Sequence, residues 1–127
     1  MLADYSLFLD DERQPGKDLV APVVIVRDFW AFKKTLIELG IPRYITFDHD
    51  LGGEYTGKSC AEFLAFMLFS MDDEEEAIAA VKELEWDVHS ANPIGAMNIR
   101  LYLKSAFEEI LSWESQSPKR LDVRDLS

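Results

Sequence analysis

The stretches Leu7-Phe8-Leu9-Asp10-Asp11-Glu12-Arg13 and Tyr44-Ile45-Thr46-Phe47-Asp48-His49-Asp50 decide the fold. Each is a short, mainly apolar run that breaks abruptly into acidic residues. A run of that length, bounded by turn-forming residues, reads as a strand buried in a sheet. A third stretch, Trp86-Asp87-Val88, gives way to His89-Ser90-Ala91-Asn92 in the same manner. Segments of helical spacing lie between them, and this alternation predicts a mostly parallel sheet between helical layers. Ligands in such sheets bind at the carboxyl ends of the strands, where all three stretches gather their polar residues.

Working outward, strands are expected at residues 6–9, 23–26, 44–47 and 86–88, the second of them entirely Val and Ile. Residues 14–21 carry Pro15 and Gly16, which disfavour a full helix after the first strand. Asp28 is placed to cap a helix running to Leu39, with Phe29, Phe32 and Leu36 on one face; Gly40 and Pro42 stop it. Thr56 can cap a second helix, in which Cys60, Phe63, Leu64, Met67 and Leu68 follow helical spacing. The acidic run 72–76 reads as the solvated start of a third helix reaching Leu84, because the helix dipole favours negative charge there. Asn92 and Pro93 signal a long last helix, whose buried side is expected to carry Ile94, Met97, Leu101, Phe107 and Leu111. The pattern fails after Trp113. One α/β domain is therefore expected over residues 1–113, with 114–127 as a tail or, through Leu121 and Val123, an edge strand.

Composition narrows the class. The 127 residues are 48% hydrophobic and 12% aromatic, which excludes disorder and suits a single domain with a sizeable core. No apolar run approaches the roughly 18 residues of a membrane span, and the start, with Asp4, Asp10 and Asp11, does not read as a signal peptide. Cys60 is the only cysteine, so no internal disulfide forms; a cytoplasmic location is expected. Its apolar helical neighbours make it a small core residue. The net charge of −11, from 24 acidic and 13 basic residues, repels phosphate backbones and argues against non-specific nucleic-acid or membrane binding.

Concentrated acid has a second meaning. Asp10 and Asp11 follow the first strand, while Asp48 and Asp50 follow the third. Carboxylates converging at one sheet edge repel one another unless a cation neutralises them. Oxygen ligands suit a divalent metal, with Mg²⁺ or Mn²⁺ the expected ion. The two histidines, His49 and His89, both stand at strand ends and are candidates for proton transfer or ligation. Ser90, Asn92 and the helix start at Pro93 offer hydrogen bonds to a phosphate, and Arg13 could clamp one in two-point fashion.

These residues resemble the receiver domain of two-component signalling. Leu7 to Glu12 is similar to that family's first strand with its acidic pair, Asp48 stands at the phosphoacceptor position, and Ser90-Ala91 matches the small hydroxyl residue and alanine after the fourth strand. The chain departs from ordinary receivers in lacking a lysine-proline after a fifth strand, in the shortened first helix and in its two histidines. The strings Leu9-Asp-Asp-Glu-Arg13, Phe47-Asp-His-Asp-Leu-Gly52, Thr56-Gly57 and His89-Ser-Ala-Asn-Pro93 more closely resemble a divergent group described as cyclic-phosphate-processing receiver domains.

The resemblance implies a receiver- or flavodoxin-like three-layer fold with a mostly parallel sheet of four or five strands. It also implies metal-assisted processing of a cyclic phosphate or nucleotide. In that expectation Asp10, Asp11, Asp48 and Asp50 hold the cation, and Asp48, His89 and His49 carry the chemistry. Arg13, Ser90 and Asn92 bind the phosphate of a small molecule or RNA end. Two other expectations stand beside it: a signalling receiver phosphorylated on Asp48, and a protein that sequesters a nucleotide without chemistry. Homo-oligomerisation is left open by the sequence.

Overall fold

A computed structural model describes residues 2–115. Four strands form one parallel sheet: β1 (Ala3–Leu9), β2 (Val23–Val26), β3 (Pro42–Phe47) and β4 (Glu85–Val88), in the order β2-β1-β3-β4. The helices are α1 (Phe29–Leu39), α2 (Gly57–Phe69), α3 (Glu74–Glu83) and α4 (Pro93–Ser115). This is the α/β receiver-like architecture expected, with β1 interior. Leu121 and Val123, the expected edge strand or tail, lie outside the described residues. No described helix is long and apolar enough to cross a membrane.

Local chemistry sets the helix ends. Asp28 has an extended backbone and accepts the N–H of Ala31 at 2.8 Å, which caps α1; Asp73 caps α3 by accepting the N–H of Glu75 at 2.9 Å. Gly40 closes α1 with φ of 89°, a conformation that glycine adopts without steric cost. Its N–H reaches back to the carbonyl of Leu36.

The two faces of the sheet differ. Tyr5, Leu7, Leu9, Val26, Ile45, Phe47 and Val88 join buried residues of all four helices in one apolar cluster. Alternate residues point the other way. That opposite face carries Ser6, Phe8, Thr46 and Asp87, with Phe8, Thr46 and Asp87 side by side in register across β1, β3 and β4. The expected weakening of the first helix goes further: residues 10–22 contain no helix, and this segment runs along the second face, where Ser6 Oγ donates to the carbonyl of Val20.

One expectation is corrected. Helix α4 buries Ala96, Ile99, Leu103, Ala106, Phe107 and Ile110, whereas Ile94, Met97 and Leu101 are more than half exposed and Leu111 also counts as exposed. Of the five residues expected on the buried side, only Phe107 is there. The helix carries two apolar stripes, and the one that includes Ala96 and Ala106 is buried. Cys60 is wholly buried in α2; burial, then the charge of Asp28, push its thiol pKa up, in keeping with a core residue.

Candidate metal and phosphate site

The sheet ladder continues into the loops that carry the polar residues. Asp10 N–H donates to the carbonyl of Val26 at 3.1 Å, Asp48 N–H to Leu9 at 3.0 Å and His89 N–H to Phe47 at 2.9 Å. Each residue is thereby fixed at the carboxyl edge by its neighbouring strand. A cavity of about 200 Å³ opens there, lined by Asp10, Asp11, Arg13, Asp48, Asp50 and Ser90 among others. A larger cavity of about 410 Å³ lies beside Ser6, Val20, Arg43 and Tyr44, but none of the expected site residues lines it.

Asp10 is 1% exposed and almost saturated with partners. Its Oδ1 accepts the N–H groups of Glu12 and Arg13 at 2.9 and 2.8 Å, and its Oδ2 lies 2.9 Å from His89 Nε2. Burial by itself would raise the carboxyl pKa. The two backbone donors and the imidazole outweigh it and hold the group below the usual carboxylate value.

Asp48 is 7% exposed; its Oδ1 accepts the N–H of His49 at 2.8 Å, and among the described residues no donor is directed at its other oxygen. The backbone of Asp48 leaves no room beside Gly57, where an added Cβ would fall 1.7 Å from the Asp48 carbonyl oxygen. Asp10, Asp48 and His89 each present a ligand atom, all within 4.8 Å of one another. Two carboxylates and an imidazole suit a divalent cation, so the donor set fits the metal expected.

Asp11 lines the cavity against Gly52, which takes φ of 73°, but it is outside that three-residue cluster. Asp50 is at the rim, where hydrogen bonds from His49 first and Asn92 second lower its pKa. His49 does not line the cavity. Its ring packs on Gly95 of α4, where an added Cβ would fall 2.3 Å away, and its Nδ1 meets Asp50 Oδ1 at 2.8 Å. Asn92 caps α4 by accepting the N–H of Gly95 at 2.9 Å, and Ser90 Oγ accepts the N–H of Asn92 at 3.0 Å. Arg13 donates to the His89 carbonyl at 3.2 Å, with Nε 3.9 Å from Asp10 Oδ2.

Sequence reasoning missed several contributors. Arg27, next after β2, donates to the carbonyls of Asp10 and Arg13 and ties the first loop down. The His89 ring stacks on Phe8 with centroids 4.8 Å apart and planes within 6°. Its Nδ1 meets Thr46 Oγ1 at 2.7 Å; Thr46 in turn bonds Asp87, which also accepts the Tyr44 hydroxyl at 2.7 Å. The alternation Tyr44-Ile45-Thr46-Phe47 and Glu85-Trp86-Asp87-Val88 placed these side chains on one face, but their adjacency depends on strand register.

Among solved structures, that of NtrX from Brucella abortus is similar over 92% of this chain and 29% of its own, at 19% identity and a TM-score of 0.45. Among curated proteins no significant sequence match is found. The profile of the family described as Cyclic-phosphate processing Receiver domain matches residues 5–105, a span that contains every residue of the acidic edge discussed above. On that match the chain belongs to the cyclic-phosphate processing receiver domain family.

Proposed function

We propose that this chain is a metal-dependent phosphate-processing domain acting on a cyclic phosphate or nucleotide, free or at an RNA end. The observation that carries the reading is the convergence of Asp10, Asp48 and His89 within 4.8 Å at the strand ends. Asp10, Asp48 and His89 would hold a divalent cation, Mg²⁺ or Mn²⁺, with Asp11 and Asp50 adding negative charge at the rim. A cation there would supply charge neutralisation at a phosphoryl oxygen and an activated water. Arg13 and the Ser90 hydroxyl, which face the same cavity, would orient the phosphate. Asn92 contributes by holding the start of α4, and His49 by holding Asp50.

Two cheap measurements bear on this. Thermal melts with Mg²⁺ or Mn²⁺ should rise, since a ligand at 100 times its Kd adds about 2.7 kcal/mol to stability. The rise should vanish in Asp10→Asn. A metal-supplemented panel of cyclic nucleotides and phosphate-ended RNAs, followed by product analysis, should then give turnover in the wild type and none in Asp48→Asn.

A second reading is supported by the Asp48 oxygen that lacks a donor: Asp48 could accept a phosphoryl group, as a signalling receiver does. Treatment with acetyl phosphate followed by intact-mass measurement would then yield an Asp48-dependent adduct. Neither adduct nor turnover would leave a protein that sequesters a nucleotide.

A further inference from the structure

We propose that Tyr44, Asp87 and Thr46 are positioning residues that hold His89 with its proton on Nδ1, so that Nε2 serves as the nitrogen ligand of the bound cation. This rests on the reading that the pocket takes a divalent metal and adds the residues that prepare one ligand for it.

The argument is an inventory of protons along one row of side chains. Ionised Asp87 only accepts hydrogen bonds. Its Oδ2 takes the Tyr44 hydroxyl at 2.7 Å, and its Oδ1 meets Thr46 Oγ1. Thr46 owns a single hydroxyl proton, which must point at the carboxylate. The threonine oxygen therefore turns a lone pair toward His89 Nδ1, 2.7 Å away, and the ring must donate there. Thr46 is 4% exposed and sits in register beside Asp87, so the order of donors is held by the sheet. Phe8, stacked beneath the imidazole, fixes the plane of the ring.

With Nδ1 committed to Thr46, Nε2 is the nitrogen that faces Asp10 Oδ2, at a hydrogen-bond distance of 2.9 Å; a cation entering there would take the Nε2 lone pair in place of that hydrogen bond. Asp48, more than nine-tenths buried, presents a ligand atom to the same point. Metal-ligating histidines commonly have their other nitrogen bonded to an outer group, often a carboxylate. Here that link runs through a threonine. A nitrogen in the set also shifts preference from Mg²⁺ toward Mn²⁺.

The test uses the full chain with Mn²⁺ and Mg²⁺ as separate probes, alongside long-range ¹H–¹⁵N spectra of the metal-free protein at mildly alkaline pH. The wild type should show His89 protonated on Nδ1. Thr46→Val and Asp87→Asn should weaken Mn²⁺ binding about 10- to 100-fold, with Mg²⁺ binding much less affected. Thr46→Ser, which keeps the hydroxyl, should restore Mn²⁺ binding to within a few-fold of wild type, and guards against a Thr46→Val variant that fails to fold. An Nδ1 found without its proton, or Thr46→Val and Asp87→Asn binding Mn²⁺ as well as a binding wild type, would overturn this inference alone. A wild type that binds neither ion would overturn the metal reading itself, and this inference with it.

Discussion

His89 Nε2 and Asp10 Oδ2 lie 2.9 Å apart although 79 positions separate them in the chain. The contact exists because β1 and β4 flank β3 in one parallel sheet, so their carboxyl ends open onto the same edge. A site of this type is assembled by strand order, and small changes in the loops that follow the strands should be felt directly.

Gly57 gives the sharpest case. An added Cβ would fall 1.7 Å from the carbonyl oxygen of Asp48, a backbone atom that cannot swing away. Gly57→Ala must therefore displace the loop or the start of α2, at a cost of about 3 kcal/mol, the upper end for overpacked sites. Chemical denaturation should show that loss. A change below about 1 kcal/mol would mean the loop yields freely and does not hold Asp48 in place.

His49 and Gly95 form a testable pair. The ring occupies the space a side chain at Gly95 would need, with ring atoms 2.3 Å from an added Cβ. Gly95→Ala should destabilise the protein, and His49→Ala should relieve the clash. Neighbours of this kind couple by about 0.5–3 kcal/mol, so the double variant should be more stable than the two single effects add up to. Because His49 is outside the cluster of Asp10, Asp48 and His89, His49→Ala should leave Mn²⁺ binding within a few-fold of wild type. Strict additivity, or loss of Mn²⁺ binding, would give His49 a role at the pocket instead.

Tyr44 offers a pH test at the far end of the row. Burial first, and the hydrogen bond and negative charge of Asp87 next, push its phenol pKa up from 10.0 to about 12. The folded protein thus keeps this proton where the unfolded chain has lost it. The corresponding contribution to stability is intact below pH 10, the unfolded value, and is lost as pH rises through about 12. Tyrosine ¹³Cζ shifts followed against pH should locate the Tyr44 transition near 12. In Asp87→Asn it should move back toward 10, leaving the parts due to burial and to the charge of Asp18. An unchanged midpoint would break the Tyr44–Asp87 link.

What the sequence determined on its own was the set of elements and the edge at which chemistry gathers. Apolar runs ending in Asp10-Asp11 and Asp48-His49-Asp50 mark strand and loop by local composition alone, and the caps Asp28 and Asn92 are short-range hydrogen bonds within one turn. The missing first helix was legible in Pro15 and Gly16 for the same reason. Tertiary structure decided everything that depends on which elements become neighbours. The side of α4 that is buried was not legible, because Ile94, Met97 and Leu101 make as good an apolar stripe as Ile99, Leu103 and Ile110, and only packing chooses between them. The division of labour between the histidines was hidden as well, since both follow strands, yet one ring packs on Gly95 and the other stacks on Phe8 facing Asp10. Thr46 and Asp87 look like ordinary polar strand residues until register sets them side by side. Apolar alternation fixes the face each residue takes, but which residue stands beside which is decided by pairing between segments far apart in the chain.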